Sequence, residues 1–166
     1  MTIKFRLATP ADLPRIVAIY NESIPGRLAT ADLTPVSVAD RQAWFAAFDP
    51  ASRPIWVFTQ DATVAGWVSL ESFYGRPAYY QTAEISLYIA NAYHHQGLGQ
   101  QALDFVFGQL EPLGLKTIVA YIFHHNQPSQ GLFRKNGFTT WGHLPDVAVM
   151  DGQLRSLDIL GRRFRD

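Results

Sequence analysis

Two short stretches carry residues arranged for chemistry. The first is Tyr93-His94-His95-Gln96-Gly97-Leu98-Gly99-Gln100, between a strand pattern and a helix pattern. The first N–H groups of a helix lack internal partners and sit at the positive end of its dipole. Glycines at that end let the backbone approach an anion closely, so the stretch can cradle a pyrophosphate. A plainer reading is a tight strand-to-helix turn shaped by Gly97 and Gly99. The second is Glu84-Ile85-Ser86-Leu87-Tyr88-Ile89. Alternation puts Ile85, Leu87 and Ile89 on one face and turns Glu84, Ser86 and Tyr88 the other way, toward a cleft or solvent. Glu84 is therefore either a general base or a solvated carboxylate on an open sheet.

Competing chemistries are weaker. Gly97-Leu98-Gly99-Gln100-Gln101-Ala102 fits a dinucleotide fingerprint. That motif expects an acid about 20 residues on, and Thr117-Ile118-Val119-Ala120 holds none. The pairs His94-His95 and His124-His125 invite a metal, but neighbours on an extended chain point apart and no carboxylate is spaced to complete a site. No metal is expected. His94 and His95 suit a phosphate better, and His125 an ordinary surface. Phe73, Tyr74 and Tyr79 crowd one loop without strand or helix period, which suits the wall of a small-ligand pocket. Arg76 among them can grip an oxyanion through paired hydrogen bonds.

The elements that position these groups follow from pattern. Ile3, Phe5 and Leu7 alternate as a half-buried strand. Thr9-Pro10-Ala11-Asp12 opens a helix striped by Leu13, Ile16, Val17 and Tyr20. After a loop from Asn21 to Pro35, Ser37 and Asp40 form a second capping box ahead of Trp44, Phe45 and Phe48. Strands are expected at 55–59 and 64–70, joined by the turn Gln60–Thr63. The aromatic loop 72–81 leads to the strand 84–89, the helix 98–110 and the strand 116–123. A short helix at 128–136 ends at Gly137, and a strand at 138–143 follows. Asp151-Gly152 predicts a type I′ hairpin, and Leu157 and Ile159 share a face of the last strand. The helix between two strands implies a parallel strand pair. The class is α+β.

Composition narrows the function classes. One domain of 166 residues with 48% hydrophobic and 17% charged residues should fold around a real core. Fourteen basic residues balance fourteen acidic ones, so no global field favours nucleic acid or a membrane. The chain has no cysteine, which excludes disulfides, thiolate metal sites and a cysteine nucleophile. The N-terminus lacks the apolar core of a signal peptide, and no apolar run reaches membrane-spanning length. A cytoplasmic enzyme or binding domain is expected.

The phosphate loop resembles motif A of the GNAT acetyltransferases, Q/R-x-x-G-x-G/A, with His94 at the Q/R position and Gly97 and Gly99 matching. Asn126-Gln127-Pro128-Ser129, then Leu132-Phe133-Arg134-Lys135-Asn136-Gly137-Phe138, is similar to the other cofactor motif of that superfamily. Arg76-Pro77-Ala78-Tyr79-Tyr80-Gln81-Thr82-Ala83-Glu84-Ile85-Ser86-Leu87-Tyr88-Ile89 resembles the corresponding segment of the phosphinothricin and methionine sulfoximine acetyltransferases. The resemblance spans nearly the whole chain and implies a mixed, splayed sheet flanked by helices. It also implies acetyl-CoA as acetyl donor, held by Leu87, Tyr88 and Ile89, by His94, His95, Gln96, Gly97, Leu98, Gly99 and Gln100, and by Asn126 and Ser129. It makes Glu84 the base, directly or through a water, and puts an oxyanion-binding N–H near Tyr88. Phe73, Tyr74, Arg76 and Tyr79 would receive a small primary amine. Phe133 departs from the pattern, since many relatives carry there a Tyr able to protonate the thiolate. A water, another hydroxyl such as Tyr88, or no donor at all are the alternatives. A peptide acceptor and a non-catalytic acyl-CoA sensor are the rival functions, and a homodimer is compatible.

Overall fold

The computed structural model describes residues 3–165. Strands β1 (Ile3–Leu7), β2 (Ile55–Gln60), β3 (Thr63–Ser72), β4 (Thr82–Ile89), β5 (Thr117–Phe123), β6 (Thr139–Met150) and β7 (Gln153–Arg163) form one sheet, ordered β1-β2-β3-β4-β5-β7-β6. Helices α1 (Leu13–Glu22) and α2 (Val38–Ala46) follow β1. Helix α3 (Leu98–Gln109) joins β4 to β5, and α4 (Gln127–Lys135) joins β5 to β6. Among the described residues only β4 and β5 are parallel, the pair required by the α3 crossover.

Local chemistry explains the boundaries. The Asp12 carboxylate accepts the Thr9 N–H at 2.8 Å and pairs with Arg6 at 2.7 Å. Residues Pro10–Asp12 form a 3₁₀ turn before α1 proper begins. Ser37 and Asp40 close the second box, with bonds of 3.0 and 3.1 Å. At the β6–β7 hairpin Asp151 and Gly152 have φ of 52° and 79°, as a type I′ turn demands. The β2–β3 turn reaches positive φ at Asp61 and Ala62 without any glycine. β6 runs well beyond the expected 138–143 segment, with register shifts on the way.

Two apolar layers sandwich the sheet. Ile85, Ile118, Ala120 and Ile122 pack with Leu103 and Val106 of α3, with Leu110 just past its end, and with Phe133 and Phe138. On the opposite face Ile16 and Ile19 of α1 pack with Val57 and Trp67, joined by Trp44, Phe45 and Tyr88. Thus β4 carries odd-numbered side chains to one layer and even-numbered ones to the other.

Candidate active site

Strands β4 and β5 pair only at Thr82, Ala83 and Glu84. Beyond Glu84, β5 follows β7 through Phe123 while β4 follows β3 through Ile89. The strands part as a V, and a cleft of about 390 Å³ fills it. Its walls are β4 from Glu84 to Tyr88, β5 from Ala120 to Phe123, the start of α4, and loop residues Leu28 to Ala31.

The ladder decides which backbone groups face the cleft. The Ala90 N–H donates to the Ala65 carbonyl at 2.8 Å on the β3 side. Antiparallel alternation then commits even-numbered β4 residues to β3 and turns the N–H and C=O of Leu87 and the N–H of Ile89 into the V, the Ile89 carbonyl being met by His94. Gln81 obeys the same parity, since its carbonyl accepts from Lys116 and Thr117 at 2.9 and 3.1 Å. Of the residues near the expected oxyanion donor, Tyr88 itself faces β3 by this parity. The unspent amides flanking it are those of Leu87 and Ile89.

The phosphate loop lies at the open end of the V. Gly97 caps α3 at φ 75°, a left-handed conformation that disfavours any residue with a Cβ. Gly99 is constrained differently: a Cβ there would lie 2.9 Å from Leu132 Cδ2. It permits close packing of α3 on α4, so Gly99 is not the position at which a bulky residue tests anion binding alone. His94 turns back toward β4, its Nε2 2.8 Å from the Ile89 carbonyl oxygen. His95 and Gln96 are exposed beside the loop. Leu98 is buried with Phe58, Ala65 and Ala102, so only its backbone serves the loop. The Gln100 amide bridges Asp104 and Asn136 at 2.9 and 2.8 Å, a strut between α3 and the end of α4. Across the cleft, Asn126 is 6% exposed. It caps α4 by accepting the Ser129 N–H at 3.3 Å and donates to the Leu28 carbonyl at 3.2 Å. Asn126 and Ser129 both line the cleft.

At the apex of the V, Glu84 is half-buried directly opposite Glu71 on β3. Burial, reinforced by the Glu71 charge, pushes its carboxyl up to about 7. Glu71 is itself raised by burial, moderated by a hydrogen bond from Trp44 and by the Arg41 charge. On the neighbouring strand Tyr121 lines the cleft, and burial together with nearby Tyr74 and the Glu84 charge raises its phenol. Phe133 is buried in the cleft wall, edge-on to Phe138 at 5.0 Å, and has no proton to give.

Loop residues 27–32 roof the cleft. The Tyr20 hydroxyl bonds Thr30 and Asp32, and Arg41 pairs with Asp32 at 3.0 Å. The Tyr88 hydroxyl donates to the Ala29 carbonyl at 3.2 Å, and its ring stacks on Trp67. His125 donates to the Arg27 carbonyl through Nε2 at 2.7 Å, so it is a loop anchor rather than a surface bystander. Burial raises the Tyr88 phenol, which makes it a poorer acid for a leaving thiolate.

The aromatic loop gathers beside this apex without lining the cleft itself. Phe73, Tyr74 and Tyr79 have ring centroids 4.5 to 5.8 Å apart. Their link to Glu84 is Tyr121. Arg76 caps the 3₁₀ turn Pro77–Tyr79, is exposed, and has no side-chain partner among the described residues. Glu71, Tyr121 and the roofing loop escaped the sequence reading. Tyr121 had the look of any aromatic strand residue, and the loop showed only a Pro, Gly and Thr composition. The metal argument needs one correction: Asp158 and His143, remote in sequence, do meet His124.

Comparison with known proteins agrees with this geometry. The family model described as an acetyltransferase (GNAT) domain matches residues 2–139. The protein YwnH of Bacillus subtilis (strain 168), named as a candidate phosphinothricin acetyltransferase, is 46% identical over 160 residues, covering 96% of this chain and 98% of that protein. The L-methionine sulfoximine/L-methionine sulfone acetyltransferase of Pseudomonas paraeruginosa is 35% identical over 161 residues, covering 96% and 94%. The crystal structure of a phosphinothricin acetyltransferase from Sinorhizobium meliloti in complex with acetyl-CoA superimposes with a TM-score of 0.91 at 28% identity, covering 99% of this chain and 89% of that one. With the splayed β4–β5 pair, the left-handed glycine opening α3 and a family match over most of its length, the chain belongs to the GNAT acetyltransferase family.

Proposed function

We propose that this acetyl-CoA-dependent N-acetyltransferase modifies the primary amine of a small amino acid or analogue, with Glu84 as base. The observation that carries the reading is the position of Glu84. It is the last β4 residue paired to β5, at the apex of a cleft with open backbone groups beyond it. The cleft fits acetyl-CoA: Leu87 and Ile89 offer an edge for pantetheine, and the amides after Gly97 suit a pyrophosphate. When bound, acetyl-CoA supplies an activated thioester carbonyl. Glu84 takes the amine proton, and a carboxyl near 7 keeps a useful ionised fraction at neutral pH while remaining basic enough to accept it. The unspent amides of Leu87 and Ile89 are the donors available to developing negative charge. Phe133 leaves the departing thiolate to water or to no donor.

The acceptor enters from the side of Tyr121 and the aromatic loop. Arg76, without a side-chain partner among the described residues, is a cation available for a carboxylate, phosphinate or sulfone oxygen. Relatives named for phosphinothricin, methionine sulfoximine and L-amino acids support this class. A thiol-release screen over amino acids, methionine sulfone, methionine sulfoximine and phosphinothricin tests it. Turnover of at least one of these is expected. Turnover confined to peptides or polyamines overturns the acceptor assignment.

The same proposal includes a cytoplasmic setting, where acetyl-CoA is at hand, and a homodimer. β6 is the outermost strand, and Trp141, Val147 and Val149 are 50%, 57% and 62% exposed on it and its approach to the hairpin. Such an edge suits coverage by a second copy, and sedimentation equilibrium checks it. No helix among the described residues is long and apolar enough to cross a membrane.

A further inference from the structure

Outside the cleft, three neighbouring strands direct one side chain each to a single point. Asp158 lies on β7, between Ile122 of β5 and His143 of β6 in the ladders. His124 continues the β5 ladder, its N–H donating to the Ser156 carbonyl at 2.9 Å. His124 Nδ1 is 2.8 Å from one Asp158 oxygen, and His143 Nδ1 is 2.5 Å from the other. All three ligand atoms lie within 4.8 Å of one another. Asp158 is only 2% exposed, yet both imidazoles are open to solvent. Gln130 of α4 donates to Asp158 at 3.0 Å and fixes the carboxylate from behind. Burial alone would raise this carboxyl, but the bonds from His143 and His124 hold it below the ordinary range.

We propose that His124, His143 and Asp158 form an accessory site for a divalent transition-metal ion of the zinc type, separate from acetyl transfer. Two imidazole nitrogens and one carboxylate are the donor set such ions take, with bonds of about 2.0–2.2 Å and a fourth position left to water. Calcium and magnesium prefer all-oxygen shells and are disfavoured. Each Nδ1 now bonds Asp158 directly, so an ion entering between them must open those contacts to the spacing of neighbouring tetrahedral ligands while the two imidazole nitrogens converge, and exposed histidine rings can make that adjustment. Each neutral imidazole moves its proton to the other ring nitrogen to free Nδ1, so no proton is lost on binding. The strand pairing holds the three residues before any ion arrives, and Gln130 supplies the orienting contact that ligating carboxylates use. None of the three lines the cleft, so the ion takes no part in the reaction. It would instead clasp the β5–α4 turn to the β6–β7 hairpin.

The test uses the full chain without a histidine tag. Zinc titrated in a calorimeter should bind one ion per chain, and cobalt should give the ligand-field absorption of a low-symmetry four-coordinate site. His124→Gln and His143→Gln should each weaken binding about tenfold or more and leave metal-free acetyl transfer unchanged. Ring-nitrogen NMR of the unaltered protein gives a reading independent of variants, since the His124 and His143 signals alone should move with the first equivalent. Absence of one-to-one binding overturns the proposal. So does binding that survives both substitutions or moves the His94 and His95 signals instead.

Discussion

Glu84 and Glu71 are direct cross-strand partners, so two carboxylates share one patch of sheet at the apex of the cleft. Like charges this close resist joint ionisation, and Glu84, the more strongly raised, is the one left able to hold a proton near neutral pH. The pair makes the ionisation of Glu84 adjustable through a residue outside the cleft wall.

Replacing Glu84 by Gln should lower kcat by about a hundredfold or more, the usual scale for a positioned base. Acetyl-CoA affinity should barely change. Activity within a few-fold of the parent protein would reduce Glu84 to a bystander.

The pH dependence follows from the sign of the shift. If Glu84 is the proposed base it acts when ionised, so kcat/KM should rise with pH and level off above about 7. Stability runs the other way. The folded protein keeps the proton between about 4.5 and 7 while the unfolded chain releases it, so folding weakens across that window. Glu84→Gln should therefore raise the melting temperature at pH 8 and leave it unaltered at pH 4. An equal effect at both pH values contradicts the assigned ionisation.

Glu71→Gln removes the opposing charge without touching the cleft wall. The rising limb of the pH–rate profile should move to lower pH, and the plateau rate should fall only a few-fold. A limb that stays in place means that Glu71 does not tune the base.

Acetyl-CoA at one hundred times its Kd should stabilise the protein by about 2.7 kcal/mol, visible as a higher melting temperature. NADH should do nothing. Gly97→Val forces a branched side chain into a left-handed position at a cost of about 1–2 kcal/mol and should greatly reduce the acetyl-CoA shift. Gly99→Ala presses only on the mobile end of Leu132 and should keep most of it.

Arg76→Ala should raise the acceptor KM about tenfold, the scale of a lost charge-assisted bond, and leave the acetyl-CoA KM alone. Arg76→Lys should recover little, because an ammonium lacks the planar fork. Tyr121→Phe should also act on acceptor KM, because Tyr121 lines the cleft with Glu84. Steady-state kinetics with methionine sulfone separates the two parameters, and an unchanged acceptor KM in both variants removes this side of the cleft from acceptor binding.

Much of the site was legible because local pattern carried it. Alternation placed Glu84 opposite the Ile85 and Leu87 face, the glycines marked the start of α3, and Ser37 with Asp40 announced α2. What stayed hidden depends on partners distant in the chain. Side-chain alternation says nothing about which strand takes the backbone bonds of Tyr88, so the open groups at Leu87 and Ile89 needed the ladder. Gly99 reads in sequence as a phosphate-loop glycine, and only the structure adds its close packing on Leu132. His124 lacked a carboxylate in the sequence because Asp158 reaches it from β7 through sheet topology. The β2–β3 turn carries Asp61 and Ala62 where turn chemistry expects Asn or Gly, so its conformation had no local signature.

The short pairing of β4 with β5 leaves an unprotected sheet edge inside the molecule rather than at its rim. An edge at the rim invites a strand of another chain and threatens aggregation. This one is screened by the loop above it, which Tyr88, His125 and Asn126 hold from both sides of the V. A slender flexible ligand can thread such an opening, but a polypeptide strand with side chains on both faces meets the loop first. The fold thus hides a sticky edge beneath a loop, and in the proposed reading pantetheine takes the place of the strand the sheet lacks there.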